Sequence, residues 1–110
     1  MTLDLAVIVS GGGSNLQSII DKIEAGLLDA RIRLVFSNNP EAFGLERARR
    51  HGIPFASAAH KDYPSREAFD RFMIQAIREA GADTVALAGF MRILTPAFLS
   101  SFPERIVNIH

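Results

Sequence analysis

The stretch Val7-Ile8-Val9-Ser10-Gly11-Gly12-Gly13-Ser14-Asn15-Leu16 decides the fold. An apolar strand runs straight into three glycines, and Ser14 and Asn15 then open a helix. Glycine lacks Cβ, so the backbone can turn tightly and let a ligand come close. The start of a helix leaves amide N–H groups unpaired and carries partial positive charge. The two features together describe a pocket for an anion, most often a phosphate. A plain strand-to-helix turn is the alternative, but one tight turn rarely needs three glycines.

Outward from that stretch, strands and helices alternate. Leu5 to Val9 reads as a strand covered on both faces, because its apolar run is continuous. Leu16, Ile19, Ile20, Ile23 and Leu27 recur at helical spacing, and Gly26 marks the end of that helix. Ile32 to Phe36 is a second strand, closed by the turn Ser37-Asn38-Asn39-Pro40, since proline cannot continue a central strand. A helix from about Gly44 to His51 has Leu45 and Ala48 inward and Gly52 as its stop, and Ile53 to Ser57 is a short strand. After the polar loop His60-Lys61-Asp62-Tyr63-Pro64, Ser65 caps a helix whose inward face is Ala68, Phe69, Phe72, Met73, Ala76, Ile77 and Ala80, ending at Gly81. Thr84 to Ala88 is the fourth strand. Thr95 and Pro96 start a short helix to about Phe102, and Ile106 to Ile109 begins a fifth strand. The expected class is α/β, an open, doubly wound, Rossmann-like parallel sheet with helices on both faces. Ligands in such sheets sit beyond the carboxyl ends of the strands, at the switch point. Ser10 to Asn15, Gly89 to Leu94, and Asn108 with His110 all end there.

Composition bounds the function. The 110 residues fit one domain and can bury roughly two-thirds of their unfolded surface. Twelve basic residues balance twelve acidic ones, which argues against nucleic acid or an anionic membrane as the main partner. There is no cysteine, hence no disulfide and no thiol nucleophile. A short N-terminal apolar run interrupted by Asp4 reads as neither a signal peptide nor a membrane span, so the cytoplasm is the expected compartment. The dinucleotide fingerprint fails, because its third glycine position is Leu16 and strand two ends in Ser37-Asn38-Asn39 without a carboxylate for a ribose. A nicotinamide cofactor is therefore not expected. No lysine precedes the first helix as a P-loop requires, no His/Cys/Asp/Glu group has metal-ligand spacing, and no nucleophile elbow is present.

Five separated motifs carry a resemblance: Ser10 to Gln17; Phe36-Ser37-Asn38; Ala42-Phe43-Gly44-Leu45-Glu46-Arg47-Ala48; Ala88-Gly89-Phe90-Met91-Arg92-Ile93-Leu94; and Asn108-Ile109-His110. In this order and over the whole chain, the sequence resembles the phosphoribosylglycinamide formyltransferases of folate-dependent purine synthesis. The resemblance implies formyl transfer from 10-formyltetrahydrofolate, a cosubstrate, to the amine of 5-phosphoribosylglycinamide. By the same resemblance, Gly12, Gly13, Ser14 and Asn15 would hold the substrate phosphate. Met91, Arg92, Ile93 and Leu94 would line the folate pocket, mostly through backbone groups, with Arg66 near its folate side; Asn108 and His110 would be catalytic, and Asn108 would also contact the folate. The chemistry agrees with those residue types: negative charge builds on the formyl oxygen during attack and calls for donors there. The Asn108 amide supplies one, and a protonated His110, with an ordinary pKa of about 6.5, supplies another and a proton for the leaving nitrogen. Two residues apart on a strand, both face the same way.

The family continues past Asn-x-His with an aspartate that orients the histidine and with further strands. Residues 1–110 would then be the N-terminal, phosphate-binding half of a formyltransferase domain, with little turnover of its own and an open sheet edge at Ile106 to Ile109. That edge would favour self-association or pairing with a C-terminal half. Alternatives are a non-catalytic phosphate-binding fragment, a formyltetrahydrofolate hydrolase, or a methionyl-tRNA formyltransferase. His51 and His60 read as surface residues, and Phe69, Phe72 and Met73 as core.

Overall fold

A computed structural model describes residues 2–90, 92 and 94–109. The opening strand β1 (Leu3–Val9) lies at the centre of a five-stranded sheet in which every pairing is parallel. Its neighbours are β2 (Ala30–Ser37) and β4 (Thr84–Ala88), while β3 (Phe55–Ser57) and β5 (Ile106–Ile109) form the edges. The order β3-β2-β1-β4-β5 makes the chain step one way from β1 to β3 and the other way from β4 to β5. The crevice between β1 and β4 is therefore the switch point where such sheets bind ligands.

Strand alternation divides the core in two. Leu5, Val7 and Val9 of β1 pack with Val35, Ala86 and Ala88 against α1 (Ser14–Glu24) and α2 (Phe43–Arg50). Ala6 and Ile8 pack with Phe36 and Val85 against α3 (Arg66–Glu79) and α4 (Pro96–Ser101). Helices thus cover both faces, as the unbroken apolar runs of the central strands require. Phe36, Phe69 and Phe98 are fully buried, each contributing about 1.5–3 kcal/mol by leaving water.

Several boundaries shift for identifiable reasons. β1 begins at Leu3 instead of Leu5, because Leu3 and Asp4 pair with Ala30 and Arg31 of a β2 that is likewise longer. β3 begins at Phe55, and Pro54 contributes only its carbonyl, which accepts from Val35 N–H at 2.9 Å. α1 stops at Glu24 and Gly26 turns left-handed (φ 75°), so helical spacing no longer places Leu27, which is 79% exposed instead of inward. Phe72 is 39% exposed and not core; it sits at the rim, tilted against Phe36 and Tyr63. The polar loop contains a single 3₁₀ turn, His60–Asp62. Ser65 caps α3 by accepting from Ala68 N–H at 3.1 Å, and Thr95 caps α4 through Phe98 N–H at 3.3 Å, both as the sequence predicts.

Candidate anion site at the switch point

A cleft of about 320 Å³ opens between the two central strands, lined by Ser10, Gly11, Gly12, Gly13, Ser14, Asn15, Ala88 and Gly89. Gly13 is the N-cap of α1 in the left-handed conformation (φ 77°), and no side chain caps that helix start. Among the described residues, none accepts a hydrogen bond from the N–H of Gly12, Gly13 or Ser14. Consecutive free amides at a helix start form a concave nest for an anion.

The three glycines serve different ends. A Cβ on Gly13 would lie 2.8 Å from Gly44 Cα, and its φ is one that side chains rarely adopt, so the fold itself requires glycine there. A Cβ on Gly11 or Gly12 would meet nothing within 4 Å, and neither has a positive φ. The fold does not need glycine at these two positions.

The turn is held from behind by α2. Gly44 N–H donates to Gly11 O at 3.0 Å, and Arg47 Nε donates to Gly12 O at 2.7 Å. Gly13 O accepts the first helical bond, from Gln17 N–H at 2.9 Å, and Arg47 Nη1 also reaches Gln17 Oε1 at 3.0 Å. Gly44 is itself demanded by this approach, since a Cβ there would lie 2.9 Å from Val9 Cγ2. The other two arginines of α2, Arg49 and Arg50, are occupied by Glu46, whose carboxyl is held down to about 2, chiefly by the Arg49 hydrogen bond.

Of the other expected site residues, Asn108 is exposed on β5, in register with Leu87 of β4. Asn15 joins that strand to the turn, its Nδ2 donating to Ile109 O at 3.3 Å, so this side chain is committed to the protein. Leu94 and Arg92 are half-buried, and Arg66 is exposed at the first position of α3. Met91, Ile93 and His110 lie outside the described residues. The segment after β4 begins with left-handed Gly89 (φ 76°) and ends at Thr95, where a buried carboxylate takes over. Asp70 Oδ2 accepts from both Thr95 N–H and Thr95 Oγ1 at 2.8 Å.

His60 is not a surface residue as the loop composition implies. Its ring stacks on Phe69 with centroids 3.7 Å apart, and its buried Nε2 has no hydrogen-bond partner among the described residues. Burial pushes its pKa below the usual histidine value; the nearby charges of Arg92 and Arg66 act in the same direction, and Asp70 opposes them. His51 sits at the end of α2 with Nδ1 3.2 Å from Glu24 Oε2. Sequence reasoning passed over Arg47 and Asp70. An arginine among three on one helix carries no mark of which one turns inward, whereas Asp70, one position after Phe69, lay inside the arc of the apolar face. Among the described residues no group of three or more His, Cys, Asp or Glu could hold a metal ion, and no helix is long and apolar enough to cross a membrane.

Comparison with known proteins supplies the family. The formyl transferase family matches residues 3–110. The chain is 48% identical over 108 residues to phosphoribosylglycinamide formyltransferase of Escherichia coli (strain K12), covering 98% of this chain and 51% of that protein. It is 42% identical over 106 residues to the human trifunctional purine biosynthetic protein adenosine-3, covering 96% of this chain and 10% of that protein. The crystal structure of glycinamide ribonucleotide transformylase 1 from Symbiobacterium toebii superposes with a TM-score of 0.95 at 41% identity, over 99% of this chain and 51% of that one. The chain thus spans about half the length of the single-function relative it matches.

Proposed function

This chain belongs to the formyl transferase family, and we propose that it provides the phosphate-binding half of an enzyme moving a formyl group from 10-formyltetrahydrofolate to the amine of 5-phosphoribosylglycinamide. The observation that carries the reading is the row of bare amides at Gly12, Gly13 and Ser14, on a turn where two of three glycines answer no demand of the fold. A phosphomonoester suits that cradle by size and charge.

The other roles follow from position and chemistry. Arg92, Leu94 and Arg66 would line the side where the folate enters, and the family resemblance gives Met91 and Ile93 the same role. Asn108 stands on the edge strand that Asn15 ties to the cradle, so phosphate and reacting amine can be held across one crevice. The neutral amine attacks the formyl carbon, forming the new C–N bond and placing negative charge on the formyl oxygen. The Asn108 amide donates to that oxygen. His110 gives a proton to the folate nitrogen as its bond to the formyl carbon breaks, and the ammonium formed on the substrate loses one. The cytoplasm suits such small soluble substrates. The unpaired side of β5, with Val107 53% exposed, is where a further strand or a second copy would add.

Gly12→Ala tests the reading. Its Cβ meets no neighbour, so thermal unfolding should be unchanged, while affinity for 5-phosphoribosylglycinamide in calorimetry should fall about tenfold or more, because the methyl group crowds the bound phosphate. Unchanged affinity would overturn it.

A further inference from the structure

We infer that α2 is the element that aims the anion cradle, and that Arg47 is its positioning residue. The inference rests on the phosphate site proposed above and adds to it the device that orients the donors.

A trans peptide group is planar, with its C=O and the following N–H pointing in opposite directions. Fixing a carbonyl therefore fixes the next amide. Gly11 O is held by Gly44 N–H, so the N–H of Gly12 points away from α2. Gly12 O is held by Arg47 Nε at 2.7 Å, so the N–H of Gly13 points away from α2 as well. Gly13 O is held by Gln17 N–H, so the N–H of Ser14 follows the start of α1. The carbonyls of Gly11 and Gly12 are drawn toward α2 and that of Gly13 into α1, so the amides of Gly12 and Gly13 turn away from α2, on a turn that lines the cleft with Ala88 and Gly89.

Without these ties, glycine would leave the peptide planes free to rotate, since it populates both signs of φ readily. Glycines that admit the ligand would then scatter the donors that bind it. Of the three ties, the Arg47 bond is the one made by a side chain, and its acceptor sits on the peptide between Gly12 and Gly13, so substitution can remove it alone. The guanidinium is fixed in turn by Gln17 Oε1 and by lying 5.0 Å over the Phe43 ring. A lysine has the charge but lacks the rigid fork needed to reach Gly12 O and Gln17 Oε1 together.

Arg47→Lys and Arg47→Met separate orientation from charge. The 110-residue chain is titrated with 5-phosphoribosylglycinamide and with inorganic phosphate, and amide NMR signals of Gly12, Gly13 and Ser14 are recorded without ligand. If Arg47 orients the turn, both variants lose about tenfold or more in affinity. In both, the free-state amide signals of Gly12 and Gly13 also shift and exchange faster, while those of β1 stay in place. Lysine restoring wild-type affinity would show a purely electrostatic role and overturn the inference, as would wild-type amide signals in both variants. Should the unmodified chain bind neither compound, the phosphate reading fails, and the free-state amide signals still decide whether Arg47 holds the turn.

Discussion

The turn after β1 and Thr95, which closes the segment after β4, are held by opposite means. The first has the carbonyls of Gly11 and Gly12 tied down by a neighbouring helix, and among the described residues none accepts from the N–H groups of Gly12, Gly13 and Ser14. The second has an N–H and a hydroxyl, both from Thr95, tied down by the buried carboxylate of Asp70, which starts α4. One arrangement leaves donors unmatched among the described residues; the other consumes them for the protein. A donor-rich surface therefore requires that its acceptors be occupied elsewhere, and here that duty falls to α2, a helix that contributes nothing to the lining of the cleft.

The strongest way to break this contrast is Gly13→Val. It combines a positive φ with a Cβ 2.8 Å from Gly44 Cα, and separates the turn from α2. Urea denaturation should show a loss of about 3 kcal/mol or more, against no measurable loss for Gly12→Ala. On the opposite wall, Asp70→Ala strands two donors of Thr95 and should cost about 2–3 kcal/mol in the same measurement. Affinity for inorganic phosphate should survive that change, because the amides of the first turn do not depend on Asp70. Loss of phosphate binding in Asp70→Ala at temperatures where the variant stays folded would show the two walls to be one coupled unit.

The smallest effect concerns pH. The folded-state pKa of His60 lies below 6.5, so the unfolded chain takes up the proton first as pH falls. Stability from neutral His60 is fully present above pH 6.5 and is lost as pH drops below it. Denaturation midpoints across that range should fall more steeply for the unmodified chain than for His60→Gln. Equal slopes would mean that the imidazole stacked on Phe69 is freely hydrated.

The sheet was legible from the unbroken apolar runs of Leu5 to Val9 and Val85 to Ala88, since a strand covered on both faces has no polar alternation to disguise it. The caps at Ser65 and Thr95 were legible because they are local hydrogen bonds over three residues. Of the anion site, the glycine turn could be read, but which glycines serve the fold and which serve the ligand could not. That distinction depends on Gly44 standing behind Gly13, with Val9 behind Gly44 in turn, an approach between segments distant in the chain. Arg47 was hidden for the same reason, because its acceptor is a carbonyl 35 residues earlier. Asp70 broke the apolar rule for the face of α3, as a buried charge does whenever its hydrogen bonds come from another element.

The hydrogen bond from Asn15 to Ile109 gives assembly a timetable. During synthesis the braced turn has all its parts once residue 50 has left the ribosome, but Asn15 must wait for a carbonyl 59 residues later. At ordinary translation speeds that interval is on the order of 3–12 s. The earliest segment of the nascent chain thus has the parts of its brace well before its last contact becomes available.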